Sequence, residues 1–198
     1  MHRALSTFIC IVLISIACNA ESKKMTGRWK LSQRTIDGQE LKMVAQDPGP
    51  GFSADTILKI EATNDTIKIR RSMEFSQEAK QKLGSGLPEF ANEFTYRTDK
   101  TVKASPSAFG EFDATARWHG NDLIVTLAQK GKTIFVEHWH VSQEGNRLFV
   151  TQSSGTDVEA CAATVPVADR QNVPSVPKEK PKNCRSDSER LERYERVK

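Results

Sequence analysis

Apolar and polar residues alternate in short runs along most of this chain, and turn residues separate the runs. Ile57-Leu58-Lys59-Ile60-Glu61 reads as a strand and Asn64-Asp65 as a turn. Thr66-Ile67-Lys68-Ile69-Arg70-Arg71-Ser72-Met73 then reads as the returning arm of a hairpin. Ser76 to Leu83 breaks the alternation and fits two helical turns, with Ser76 as N-cap and Gly84 as the stop. Phe94-Thr95-Tyr96-Arg97 resumes a strand. From 111 to 153 the pattern is clearest. Phe112, Ala114, Ala116 and Trp118 alternate with polar neighbours, His119-Gly120-Asn121-Asp122 turns, and Leu123 to Leu127 returns. Lys130-Gly131-Lys132 turns into a strand from Thr133 to Val141, and Glu144-Gly145-Asn146 leads into Leu148-Phe149-Val150-Thr151. The expectation is an all-β, antiparallel up-and-down meander of about eight strands with a short helix near 76–83. Such a meander has to close or be covered, because open edges pair with other chains.

The two ends of the chain carry different patterns. Arg3 precedes an uncharged run from Ala4 to Ala17, followed by small residues and a polar stretch from Glu21. That order is the layout of a secretory signal over 1–20, and the run is short for a membrane span. Two processing routes fit the same residues. Cys18-Asn19-Ala20 offers small residues for cleavage before Glu21. Ser15-Ile16-Ala17-Cys18 resembles a bacterial lipobox, which would acylate Cys18 and tether a soluble domain to the envelope. Either route predicts a secreted or periplasmic protein that touches membrane only through such an anchor.

The barrel would then span 21–157. Residues 158–185 contain Pro166, Pro174, Pro177 and Pro181 and read as a long loop. Cys161 and Cys184 lie near its two ends, and in an oxidising compartment a disulfide closing the 161–184 segment is the simplest reading. Without any paired C-x-x-C spacing, the two cysteines do not suggest zinc. Residues 186–198 fit two readings. Leu191, Tyr194 and Val197 have helical spacing, whereas Tyr194 in a charged run also suits a final strand.

Composition narrows the function. The chain of 198 residues has a formal net charge of +4, near +3 once Arg3 leaves with the signal, and its basic residues are interspersed with acidic ones. That excludes a nucleic-acid stripe. No G-x-S-x-G, phosphate-binding loop or dinucleotide fingerprint is present, so no enzyme activity and no cofactor are expected.

Gly27-Arg28-Trp29-Lys30-Leu31 resembles the Gly-x-Trp opening of the calycin barrels, the lipocalins and fatty-acid-binding proteins. The rhythm of 111–153 and the ending Arg193-Tyr194-Glu195-Arg196-Val197 are similar to the fatty-acid-binding branch. The opening, with Pro48-Gly49-Pro50 and Ile57 to Glu61, also looks like lipocalin-like domains exported by bacteria. The resemblance implies a lipocalin-like barrel with Trp29 plugging one end, and a small apolar or amphipathic ligand. The sequence departs from the family at two points, one of them the Pro-rich insertion before the last segment, which is foreign to the family. Fatty-acid-binding proteins hold the ligand carboxylate with Arg-x-Tyr in the last strand, and here Glu192 stands two residues before Tyr194.

The candidate polar contacts are Arg70, His138, His140 and Tyr194. In His138-Trp139-His140 a strand would put both imidazoles on one face and Trp139 on the other. Two histidines so placed could hold a metal, but His119 would lie roughly 10 Å away across an intervening strand, so no metal site is expected. Arg70 and Arg71 fall on opposite faces, and one of them would point inward. The alternative to a ligand carrier is an envelope or secreted interaction module with a filled barrel.

Overall fold

A computed structural model describes residues 24–41, 54–84, 91–107, 110–155 and 187–198. The segment 1–20 read as a signal, Cys18, the Pro48-Gly49-Pro50 motif, and Cys161 and Cys184 with their expected disulfide lie outside the described residues.

Eleven strands form a single antiparallel sheet among the described residues. They are β1 (Gly27–Ile36), β2 (Gln39–Leu41), β3 (Ala54–Ala62), β4 (Thr66–Phe75), β5 (Ala91–Arg97), β6 (Val102–Ser107), β7 (Gly110–His119), β8 (Asp122–Gln129), β9 (Lys132–Val141), β10 (Arg147–Ser154) and β11 (Ser188–Val197). Pairing follows chain order, except that β1 lies between β3 and β11 and so joins the start of the sheet to its end. The short β2 folds back on β1 alone. The remaining strands run from β5 round to β6. Across that last gap the Asn92 side chain donates to the Ser105 carbonyl at 2.6 Å, which brings the barrel close to closure.

The expected eight strands are therefore too few. The additional ones are β2, β6 and β11, and none carries an alternation of large apolar side chains. β2 is exposed throughout, β6 is Val-Lys-Ala-Ser-Pro-Ser, and β11 is mostly charged. Backbone groups recruit these strands, since unpaired edge N–H and C=O groups next to a ladder are satisfied by one more strand. The same argument settles residues 186–198. Leu191, Tyr194 and Val197 do not form a helical face, because β11 pairs with β1 on one side and β10 on the other.

The predicted helix is present as α1 (Gln77–Leu83). The Ser76 hydroxyl accepts the Ala79 N–H at 3.2 Å, and Gly84 ends the helix at φ 51. Lys130-Gly131 closes the β8–β9 hairpin with both residues at positive φ, 50 and 75, the pair of conformations a two-residue turn needs.

Register assigns each side chain to a face. Trp29 opposes Leu58, which opposes Arg71, which opposes Asn92, so all four lie on the inner face. The inner face is packed tightly at one end. Met25, Trp29, Leu58, Ile60, Ile67, Tyr96, Leu123, Trp139 and Leu148 are all buried there. Trp29 donates its indole N–H to the Met25 carbonyl at 2.9 Å, and the Arg196 guanidinium lies 4.1 Å from its ring centroid. Arg196 also donates to the carbonyls of Gly145, Thr26 and Lys24. This accounts for the Gly-x-Trp opening. Gly27 has φ 148, and a Cβ there would run into the Arg196 guanidinium.

Burial falls towards the other end. Inner-face Ala54, Thr56, Met73, Phe75, Phe135 and Ser154 are only half-buried. This is the looser end, and α1 begins directly beside it, after Phe75.

Candidate ligand-binding site

Between the packed end and the looser end lies a layer of charged side chains. Its centre is Glu192, which faces inward because it opposes Arg34 on β1 and Val150 on β10. Glu192 is 1% exposed. A bulge between Leu31 and Gln33 resets the register of β1 so that Arg34 meets it. The Arg34 Nε and Nη2 atoms lie 2.8 and 2.7 Å from Glu192 Oε1. On the other oxygen, Oε2, the Tyr194 hydroxyl donates at 2.6 Å and Arg71 Nη2 at 3.4 Å. Arg190, one inward position nearer the looser end, has Nε 3.8 Å from Oε1, beyond hydrogen-bond range. Arg34, Arg71 and Arg190 are 32, 24 and 25% exposed, so each reaches part way towards water.

A second carboxylate lies near this group. Glu137 is inward on β9, buried, and accepts from the Tyr96 hydroxyl at 3.2 Å, the Trp139 indole at 3.0 Å and the Gln152 amide at 2.8 Å. The Tyr96 bond crosses the barrel from β5 to β9. Two buried carboxylates thus have their oxygens filled by donors from β1, β4, β5, β9, β10 and β11. A buried charge survives only with such partners.

Charge states follow from the packing. Burial alone would push the Glu192 carboxyl up, but the guanidiniums of Arg71, Arg190 and Arg34 and the Tyr194 hydrogen bond outweigh it and hold it below its ordinary value. The carboxyl is therefore ionised at neutral pH. Burial raises the Tyr194 phenol, and the Glu192 charge raises it further. Burial likewise raises Tyr96, with Glu137 adding to it. Both phenols are held as donors. Burial opposes the Arg71 charge, and the carboxylates of Glu192 and Glu137 favour it.

The structure separates the sequence candidates. Tyr194 is in the layer. Arg70 lies on the outer face, opposite Lys59 and Glu93, and its neighbour Arg71 is the one that points inward. His138 and His140 also face outward, since Trp139 belongs to the core. His140 is buried on that outer face. Its Nδ1 lies 2.6 Å from Asp122 Oδ1, and its ring stacks on Phe149 at 6.3 Å between centroids. Among the described residues no group of three or more metal-ligating side chains comes together. Sequence reasoning did not single out Arg34, Arg190 or Glu192 as lining residues. Counting inward in steps of two from Tyr194 would have found Glu192 and Arg190, and taking Trp139 as core would have turned Glu137 inward.

No protein-family model and no curated protein matches the chain. Solved structures do. The REP1-NXSQ fatty acid transporter aligns over 89% of this chain and 98% of its own, at 10% identity and a TM-score of 0.50. Fatty-acid-binding protein 1 of Echinococcus granulosus aligns over 89 and 99% at 12% identity and 0.49. A secretory abundant heat soluble protein of Ramazzottius varieornatus aligns over 88 and 96% at 13% identity and 0.45. The fold is that of a calycin-like barrel. At this identity the likeness concerns the fold.

Proposed function

We propose that this protein is an exported, non-enzymatic barrel that carries a small amphipathic molecule. The ligand's apolar body would lie in the looser half, beside Met73, Phe75 and Phe135, and its polar end would face the charged layer. The observation that carries this reading is the inward turn of Arg71, with Arg34 and Arg190, into a barrel whose inner face is only half-buried on one side of them. A fully filled barrel has no use for three guanidiniums on its inner wall. Sharing a fold with a protein described as a fatty acid transporter fits the reading. Export is supported by the uncharged run after Arg3, and the mature chain starts either at Glu21 or at an acylated Cys18.

Displacement of an uncharged fluorescent lipid probe from the purified mature protein tests the binding. Saturable uptake of one probe per chain is the expected result. No uptake at high probe concentration would favour the filled-barrel interaction module instead. Mass spectrometry of the mature N-terminus separates the two processing routes.

A further inference from the structure

We infer that Glu192 is a specificity-determining residue of this site: a carboxylate built into the barrel wall, which makes the barrel select an amphiphile with an uncharged polar head, such as an alcohol, ester or amide, over an acid. The inference rests on the ligand-carrying reading above and deepens it.

The donors at the centre of the layer are already engaged. Arg34 places two nitrogens on Glu192 Oε1, and Tyr194 and Arg71 donate to Oε2. An acidic head entering from the looser end would meet these donors with their acceptor in place. It would also meet a fixed negative charge, only 1% exposed, that its own charge repels across a medium of low permittivity. Glu137 adds a second buried carboxylate on β9, one strand removed from β11. In formal charge, Arg34 and Arg71 balance Glu192 and Glu137. The remaining guanidinium, Arg190, is a quarter exposed on the looser side, where water reaches it and an ion pair gains little.

What the layer lacks is acceptors for single N–H groups. The Nε atoms of Arg71 and Arg190 are buried and have no hydrogen-bond partner. A hydroxyl or carbonyl oxygen satisfies such a donor without adding a third negative charge to a layer that already holds two. The unmet need is thus for a neutral acceptor.

The test compares a fatty alcohol with the fatty acid of equal chain length at neutral pH, each displacing an uncharged fluorescent probe from the mature protein. The alcohol is expected to bind about tenfold tighter or more, since a like charge a few ångströms away costs at least one factor of ten. In Glu192→Gln the alcohol-to-acid affinity ratio should fall by at least as large a factor. Should that variant fail to fold, the wild type still decides. Acid affinity should rise as pH falls through the ligand's own carboxyl pKa, and alcohol affinity should stay level. Equal or tighter binding of the acid by wild type at neutral pH overturns the inference and leaves the carrier reading standing. So does a folded Glu192→Gln that keeps the wild-type ratio. If neither ligand displaces the probe, and the probe itself is not bound, the carrier reading falls and this inference with it.

Discussion

Replacing Glu192 by Ala should be among the most damaging single changes to the barrel wall. The substitution removes the acceptor for the Arg34 pair, for the Tyr194 hydroxyl and for Arg71, and it leaves two cations facing each other on the inner wall. Removing one partner of a fully buried ion pair costs about 3–5 kcal/mol. Arg34 and Arg71 are 32 and 24% exposed, so water entering from the looser end rehydrates part of their charge, and the lower bound of about 3 kcal/mol is the better figure. That is a large share of a typical domain stability of roughly 5–15 kcal/mol. For a chain of this length it corresponds to a fall in melting temperature of about 6–12 °C.

Urea unfolding followed by tryptophan fluorescence gives the difference directly, with the m-value as a check that both proteins unfold alike. The pH dependence supplies an independent sign. The Glu192 carboxyl is held below its ordinary 4.5 in the folded protein, so its contribution is complete above the unfolded value and is lost as pH falls through the folded one. The gap between wild type and Glu192→Gln should therefore close in acid. A loss below about 0.5 kcal/mol for the alanine variant, within the range of ordinary surface changes, would refute the reasoning. So would a gap to Glu192→Gln that widens in acid.

Other expectations follow from single contacts. Gly27→Ala should destabilise by about 1–3 kcal/mol in thermal melts, because φ 148 and the Arg196 guanidinium both exclude a Cβ, and an unchanged midpoint would contradict that account. Tyr96→Phe removes one donor from buried Glu137 and should cost about 1–3 kcal/mol by urea titration; a neutral effect would mean that the cross-barrel bond contributes nothing. Lys130→Gly relieves a positive φ of 50 at a hairpin turn and should stabilise slightly, by about 0.5–1 kcal/mol, whereas a clear loss would show that the turn strain is absent. Ser76→Ala should lower stability by about 0.5–2 kcal/mol through loss of the α1 cap, readable in the same titrations.

The hairpins from β3 to β4 and from β7 to β10 were legible in the sequence because their apolar residues alternate and their turns carry Gly, Asn or Asp. The α1 cap was legible for the same local reason. The candidate site was legible only in part. Tyr194 stood out by its neighbours in the last segment, and the departure at Glu192 was visible as a break in a familiar motif. What that glutamate does was not visible, because its partners Arg34 and Arg71 lie more than a hundred residues away in the chain. The histidines around Trp139 drew attention as chemistry-bearing residues, yet strand parity sends them outward once Trp139 is taken into the core.

Taken alone, the sequence determined the class of structure: alternating strands, tight turns and one short capped helix. These depend on contacts within a few residues, where backbone propensity and period decide the outcome. Tertiary structure decided the rest. It brought in β2 and β6 and chose strand over helix for β11, through backbone groups that complete the ladder. It also set the β1 bulge that turns Arg34 towards Glu192, and with it the charged layer. Two buried carboxylates are tolerable only when arginines and tyrosines from distant strands arrive together, and no stretch of the chain carries that condition by itself.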